Sequence, residues 1–319
     1  MPRSRGSDVA AEPASVEDDV HRDPKRANVV YHDWEAATYD QKWSISFDQR
    51  CIDYARDRFV AVAGRPDAPY RQAVEIGAGT GFFMVNLQQA GVISRGIVTD
   101  ISSGMVGQAL ANAAAVDVPL AGLVADAESL PFADASVDLV IGHAVLHHLP
   151  DVEQGLREVL RILRPGGRFV FAGEPTSHGD VVARRLSRLT WWTTTRVTRL
   201  PGVRGRWSRP DDELTASSAA AALEASVDLH TFDPGALMRS CLRAGAIEVS
   251  TVTEELTASW FGWPVRTFEC AVNPERLGRR WAHAAYRGWQ GLAWVDRNLL
   301  DHVVPDELFY NVSVTGVRP

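Results

Sequence analysis

The stretch Val74-Glu75-Ile76-Gly77-Ala78-Gly79-Thr80-Gly81 decides how the rest of the chain is read. An apolar run carrying an acid passes into a glycine-rich turn, which opens a helical stretch reaching about Ala90. Glycines let the backbone turn sharply and approach a ligand closely, while a helix N-terminus offers unpaired N–H groups. The same residues would also serve as a plain strand-to-helix turn, so the spacing has to discriminate. A dinucleotide fingerprint starting at Gly77 requires glycine at position 82, where Phe82 stands. The triplet is G-x-G-x-G instead, with Glu75 two residues before it. A pyrophosphate loses its close helix approach in that arrangement. A cofactor with an amino-acid moiety gains a carboxylate for its ammonium group.

Outward from this turn, short apolar runs alternate with helical stretches. Ala73–Gly77, Gly96–Asp100, Ala121–Asp126, Val137–Gly142 and Arg168–Gly173 read as strands, with helices over Ser102–Ala115 and Val152–Leu163. The pattern breaks near residue 178 and resumes at Asp233–Pro234, an N-cap followed by proline at the first helical position. Ile247–Thr253 and Leu308–Val317 supply two more strands. Strands alternating with helices predict an α/β fold with a doubly wound sheet. The organisation that follows is a disordered tail (1–27), an N-terminal helical lid (28–69), a core (70–178), a basic insertion (179–230), core again (231–256), an aromatic helical insertion (257–305) and a final strand (306–319).

Composition narrows the function. The chain has 319 residues, 45% hydrophobic and 23% charged, with a net charge of −7, so it can bury a core and is a poor general binder of nucleic acid. Three cysteines far apart, without CxxC spacing, argue against a disulfide framework or structural zinc. No signal-peptide pattern or long apolar run is present, and the expectation is a cytoplasmic protein.

The combination of motifs resembles the class I S-adenosylmethionine-dependent methyltransferases, in particular the small-molecule branch that includes ubiquinone and menaquinone biosynthesis methyltransferases. The resemblance covers about half of the chain. Glu75–Gly81 looks like the family's first motif. Asp100 stands where the family places the acid that binds both ribose hydroxyls, and Asp126–Ala127, continued by Glu128-Ser129-Leu130-Pro131-Phe132, looks like the adenine-side motif. Val137–Leu149, ending Leu146-His147-His148-Leu149, and Leu163-Arg164-Pro165-Gly166-Gly167 complete the series. The resemblance implies a seven-stranded Rossmann-like sheet with strand 7 antiparallel, S-adenosyl-L-methionine as cofactor, and cofactor contacts from Glu75, Gly77, Ala78, Gly79, Gly81, Asp100, Ile101, Asp126, Ala127 and His143. Tyr39–Asp40 resembles the segment that folds over the cofactor, with ordinary core packing as the alternative.

Methyl transfer from a sulfonium is an in-line displacement, so alignment and exclusion of water are the main tasks. A base helps only where the acceptor must lose a proton. His143, His147 and His148 are candidates, His147 first, because an imidazole titrates near neutrality. Ring packing and helix capping are the competing uses. No carboxylate cluster accompanies these histidines, and no metal is expected. Glu174 reads as a salt-bridged rim residue, or as a substrate contact or base.

The two insertions leave the carboxyl ends of strands and should roof an acceptor pocket. Residues 181–210 carry eight arginines and no acid. With Trp191 and Trp192 close by, they suggest contact with an anionic membrane or a lipid-like or phosphorylated substrate; a solvated helix is the plain alternative. Eight of the ten tryptophans lie beyond residue 180, which sets the insertions apart from the sheet, and Trp260, Phe261, Trp263, Trp281, Tyr286, Trp289 and Trp294 of the second suggest a bulky apolar acceptor cavity or a well-packed helical cap. The competing functions are a nicotinamide oxidoreductase, disfavoured by Phe82, and a non-catalytic protein that docks on membrane or partner.

Overall fold

A computed structural model describes residues 23–215, 217, 218 and 227–319. Residues 1–22 of the expected tail lie outside the described residues. Its last residues are helical: Asp23 caps α1 (Pro24–Glu35) by accepting from Arg26 N, and Pro24 supplies the fixed φ of a first turn. Two further helices, α2 (Tyr39–Trp43) and α3 (Gln49–Ala63), precede the sheet.

The sheet elements follow in the order β1 (Ala73–Ile76), α4 (Phe82–Gln89), β2 (Gly96–Asp100), α5 (Ser103–Ala115), β3 (Leu120–Val124), β4 (Val137–His143), α6 (Val152–Ile162) and β5 (Leu163–Pro175). After β5 come α7 (Ser177–Val197), α8 (Pro234–Ala244), β6 (Ile247–Glu254), α9 (Thr257–Ala271), α10 (Arg279–Val295) and β7 (Asn311–Val317). The seven strands lie in the order β3-β2-β1-β4-β5-β7-β6, β1 to β5 parallel and β7 antiparallel to both neighbours. The expected doubly wound sheet with strand 7 antiparallel is therefore present.

β1 is buried along its whole length because helices cover both faces of the sheet. On one face Leu156, Val159, Leu160, Leu237 and Cys241 of α6 and α8 pack against Val140 and Phe171; on the other, Phe59, Phe83 and Met84 of α3 and α4 meet Leu139 and Ile141. β3 is an edge strand, which leaves Leu123 and Val124 exposed. β5 is longer than the sequence pattern suggested at both ends, and its register slips between Phe171 and Glu174 at Gly173, where φ is +74°. That bulge re-aims the residue after it. The two insertions pack on each other through α7 and α9.

Arg58 of α3 is buried and pairs with Glu254 and Glu255 at the end of β6, tying the N-terminal helices to the far sheet edge. Removing one member of a buried ion pair leaves uncompensated charge. Arg58→Ala is expected to lower unfolding stability by about 3–5 kcal/mol, read from urea denaturation. A loss below about 1 kcal/mol would mean water already solvates the two carboxylates.

Candidate functional site

The carboxyl ends of β1, β2, β4 and β5 open into one cavity of about 950 Å³, near the upper end for small-molecule sites. Its floor is the glycine turn. Gly77, Gly79 and Gly81 have φ of +55°, +51° and +82°, a region that favours glycine. Space adds a second demand, since a Cβ on Gly77 would stand 2.0 Å from Val145 Cγ2.

Asp100 ends β2 and is 7% exposed. Its Oδ2 accepts from Gly79 N and its Oδ1 from Ser102 N, both at 2.9 Å. Ser102 is the true cap of α5, accepting from Met105 N, so Asp100 need not serve as one. Burial pushes the Asp100 carboxyl up to about 6, and the amide donors from Ser102 and Gly79 hold back a larger rise. Glu75 is also buried. Burial drives its pKa well up, while Met84 N, which donates to it at 3.0 Å, opposes the rise. Ala78, Ile101 and Ala127 line the same cavity. Together these groups could hold a nucleoside with an amino-acid tail: paired acceptors for vicinal hydroxyls, backbone donors at the turn, and a carboxylate below it.

Asp126 lies at the other end, where its Oδ2 and Glu128 Oε2 each take Lys25 Nζ at 2.6 Å. Lys25 belongs to the segment the sequence placed in the tail. Two further ties hold the N-terminal helices down. Asp33 accepts from Ser102 Oγ (2.6 Å) and Gly104 N (2.8 Å), and Asp40 accepts from Thr80 Oγ1 and from Asn112 Nδ2 (2.7 Å). Tyr39 lies over the turn, its ring edge 3.9 Å from where a Gly79 Cβ would be.

At the end of β4, His143 packs among Phe82, Phe83 and Tyr54 at ring separations of 5.3, 5.4 and 6.0 Å. Burial, with Arg58 adding to it, pushes its pKa down to about 4, so it is neutral near pH 7. His147 and His148 form a short turn behind it. His147 Nδ1 lies 2.8 Å from Glu174 Oε2. Glu174 is fully buried and also accepts from Val145 N and Leu146 N at 2.9 Å and His147 N at 3.2 Å. The sequence reading of Glu174 as a rim residue is corrected: the bulge at Gly173 turns it inward. Burial alone would raise its pKa, yet the His147 hydrogen bond and the backbone donors hold it below the usual range.

Beyond the histidines the cavity is lined by aromatics. Tyr54 meets Trp289 at 6.3 Å, Tyr286 stacks on Trp289 at 6.3 Å and Trp263 meets Tyr310 at 5.4 Å. Both insertions contribute, through Asp180, Arg184 and Asp228 from the first and Trp263 and Trp289 from the second. Sequence reasoning missed Lys25, Asp33, Tyr54 and Asp228, which lie outside every motif.

The comparisons with known proteins agree with this frame. Residues 74–171 match the family described as a methyltransferase domain. That match bears out the resemblance read from the motifs. A malonyl-(acyl-carrier protein) O-methyltransferase of Methylococcus capsulatus is 34% identical over 166 residues, 49% of this chain and 58% of that protein. A demethylmenaquinone methyltransferase of Mycolicibacterium vanbaalenii is 37% identical over 122 residues, 37% of this chain and 50% of that protein. The chain's matches thus span only about half the length of these curated relatives. The structure of a phosphoethanolamine N-methyltransferase 2 of Haemonchus contortus, solved with S-adenosyl-L-methionine, aligns over 95% of this chain and 60% of that one at a TM-score of 0.53 and 14% identity, a likeness of fold.

Gly77→Ala tests the turn. The added methyl must displace Val145 and occupy a left-handed φ, so the urea midpoint is expected to fall by the equivalent of about 1–3 kcal/mol with an unchanged m-value.

Proposed function

We propose that the protein transfers the methyl group of S-adenosylmethionine to a small acceptor of apolar or lipid-like character. The observation that carries this reading is that one cavity is lined at once by the Asp100–glycine-turn groups, by His147, which the buried Glu174 orients from behind, and by an aromatic wall. Bound there, the cofactor would supply an electrophilic methyl on a sulfonium. The residues fit it: Asp100 offers each ribose hydroxyl a carboxylate oxygen already fixed by a backbone donor, and Glu75 is a buried carboxylate that an ammonium would re-ionise. Gly79 lets the chain lie close, with Tyr39 over it. Asp126 and Ala127 border the adenine end, where Lys25 orients Asp126. Phe82, packed on His143, fills the place of the third dinucleotide glycine and counts against a nicotinamide cofactor.

The proposed base is His147. Glu174 takes the Nδ1 proton in a hydrogen bond, which makes Nε2 the proton-accepting nitrogen and fixes the ring's orientation. His143 serves as a neutral wall beside the acceptor rather than as an acid. The aromatic side chains exclude water and hold a flat or apolar acceptor, for which the quinone and acyl substrates named for the relatives offer loose support. Calorimetry should show 1:1 binding of S-adenosylmethionine and S-adenosylhomocysteine, and an assay with labelled methyl should find product among quinone-like and lipid-like acceptors. Absence of binding would remove the reading.

Two charge-assisted hydrogen bonds to Asp100 are worth about 1.5–3 kcal/mol each, so Asp100→Ala should weaken S-adenosylmethionine at least tenfold. In the wild type the affinity should fall as pH drops through about 6, where the Asp100 carboxyl protonates and loses an acceptor. His147→Gln should keep cofactor affinity while turnover with a hydroxyl or acidic-carbon acceptor falls about 10²–10⁴-fold; unchanged turnover would exclude His147 as base.

We also propose that α7 rests on an anionic membrane surface. Among the described residues no helix is long and apolar enough to cross a membrane. Yet Val181, Leu189, Trp192 and Val197 are 47%, 59%, 53% and 53% exposed on one helical stretch, interleaved with exposed arginines, in a chain of net charge −7. Flotation with phosphatidylserine-containing vesicles, lost on phosphatidylcholine alone and in Trp192→Ala/Arg196→Ala, is the expected result. Equal flotation with neutral vesicles would contradict it.

A further inference from the structure

The fold brings to the histidine pair a carboxylate that the linear sequence does not place there. Asp228, from the first insertion, sets Oδ1 3.7 Å from His147 Nε2 and 3.7 Å from His148 Nδ1. Among the described residues these three are the one His/Cys/Asp/Glu group whose ligand atoms all lie close together, within 4.8 Å. We propose that His147, His148 and Asp228 form a binding site for a divalent transition-metal ion, held in a two-histidine, one-carboxylate arrangement.

Three observations carry this. First, 3.7 Å is too long for a hydrogen bond. For His147 Nε2 and Asp228 Oδ1 it is close to the separation of about 3.3 Å between two ligand atoms bound at 2.0–2.1 Å to a tetrahedral ion; His148, whose Nδ1 is the nitrogen nearest Asp228, would join through Nε2. Second, both imidazoles are oriented from behind, as ligating histidines are. His147 Nδ1 is held by the buried Glu174 at 2.8 Å, and His148 Nδ1 by the Val227 carbonyl at 3.0 Å. Those bonds make Nε2 the lone-pair nitrogen of each ring. Third, the carboxylate has its own support, since Arg184, paired with Asp180, lies 3.7 Å from Asp228 Oδ2.

Two nitrogens and one carboxylate oxygen suit zinc or iron(II) better than calcium or magnesium. Three protein ligands leave a coordination position open, and all three residues line the cavity wall. An acceptor oxygen or a water could therefore reach the ion. The ion would take the same His147 Nε2 lone pair that the proposed base uses, so the metal-bound protein and the one with His147 free to accept a proton are different states; the inference does not rest on methyl transfer.

The test uses the full chain after chelator treatment, with Zn²⁺ followed by calorimetry and Co²⁺ by visible absorption. The expected result is one ion per chain at micromolar affinity or tighter, with cobalt bands of low-coordinate intensity. Asp228→Asn and His148→Gln should each weaken zinc at least tenfold, with thermal midpoint and S-adenosylmethionine affinity unchanged. No cobalt bands and no zinc heat up to millimolar ion would overturn the proposal. Unchanged zinc affinity in Asp228→Asn would do the same, placing the ion elsewhere. Because cofactor binding is read separately, failure of the metal site and failure of the methyltransferase reading are distinguishable.

Discussion

Glu174 is the group around which the site is arranged. A carboxylate without solvent contact costs several kcal/mol unless its lone pairs are filled, and here three consecutive backbone N–H groups and one imidazole fill them. Satisfying that carboxylate bends the chain after β4 into the turn that carries His147 and His148. It also fixes Val145, whose side chain stands where a Cβ on Gly77 would be. The bulge that aims Glu174 inward depends on Gly173, where a Cβ would lie 2.9 Å from His143 Nε2. One buried charge thus couples the glycine turn, the histidine turn and the end of β5.

The N-terminal helices complete the enclosure by polar ties rather than by apolar packing alone. Lys25, Asp33 and Asp40 reach the β3–β4 loop, the start of α5 and the glycine turn respectively. Arg58 adds a buried ion pair to the end of β6. Partly exposed polar ties are individually weak, which suits a cover that must let a ligand in and out. The aromatic insertions close the opposite end. On the proposed reading, cofactor-side geometry is set by the sheet and acceptor-side geometry by what is grafted on it.

Most of the sheet was legible because buried parallel strands are short apolar runs and the glycine turn has a demanding backbone. Asp100 and its neighbours could be placed by counting from that turn. Asp233–Pro234 was read as a helix start, but the same dipeptide at Asp23–Pro24 sits among Pro, Ser and charged residues that mask it. Glu174 was noticed without its role, since a bulge that reverses a side chain leaves only one glycine as a sequence mark. Asp228 had no local signal: a lone carboxylate in an insertion acquires chemistry only from the histidines the fold brings beside it. Lys25 was missed for the same reason, with its partners a hundred residues away.

The central claim is that the Asp100 end of the cavity holds the cofactor and points its reactive atom toward the His147 compartment. The most direct measurement is a crystal structure of the protein with S-adenosylhomocysteine. The account predicts ribose hydroxyls within hydrogen-bond distance of Asp100, the amino-acid tail at the glycine turn, and sulfur facing the compartment lined by His143 and His147. A ligand seated elsewhere in the cavity, or with its sulfur turned away from these histidines, would contradict it.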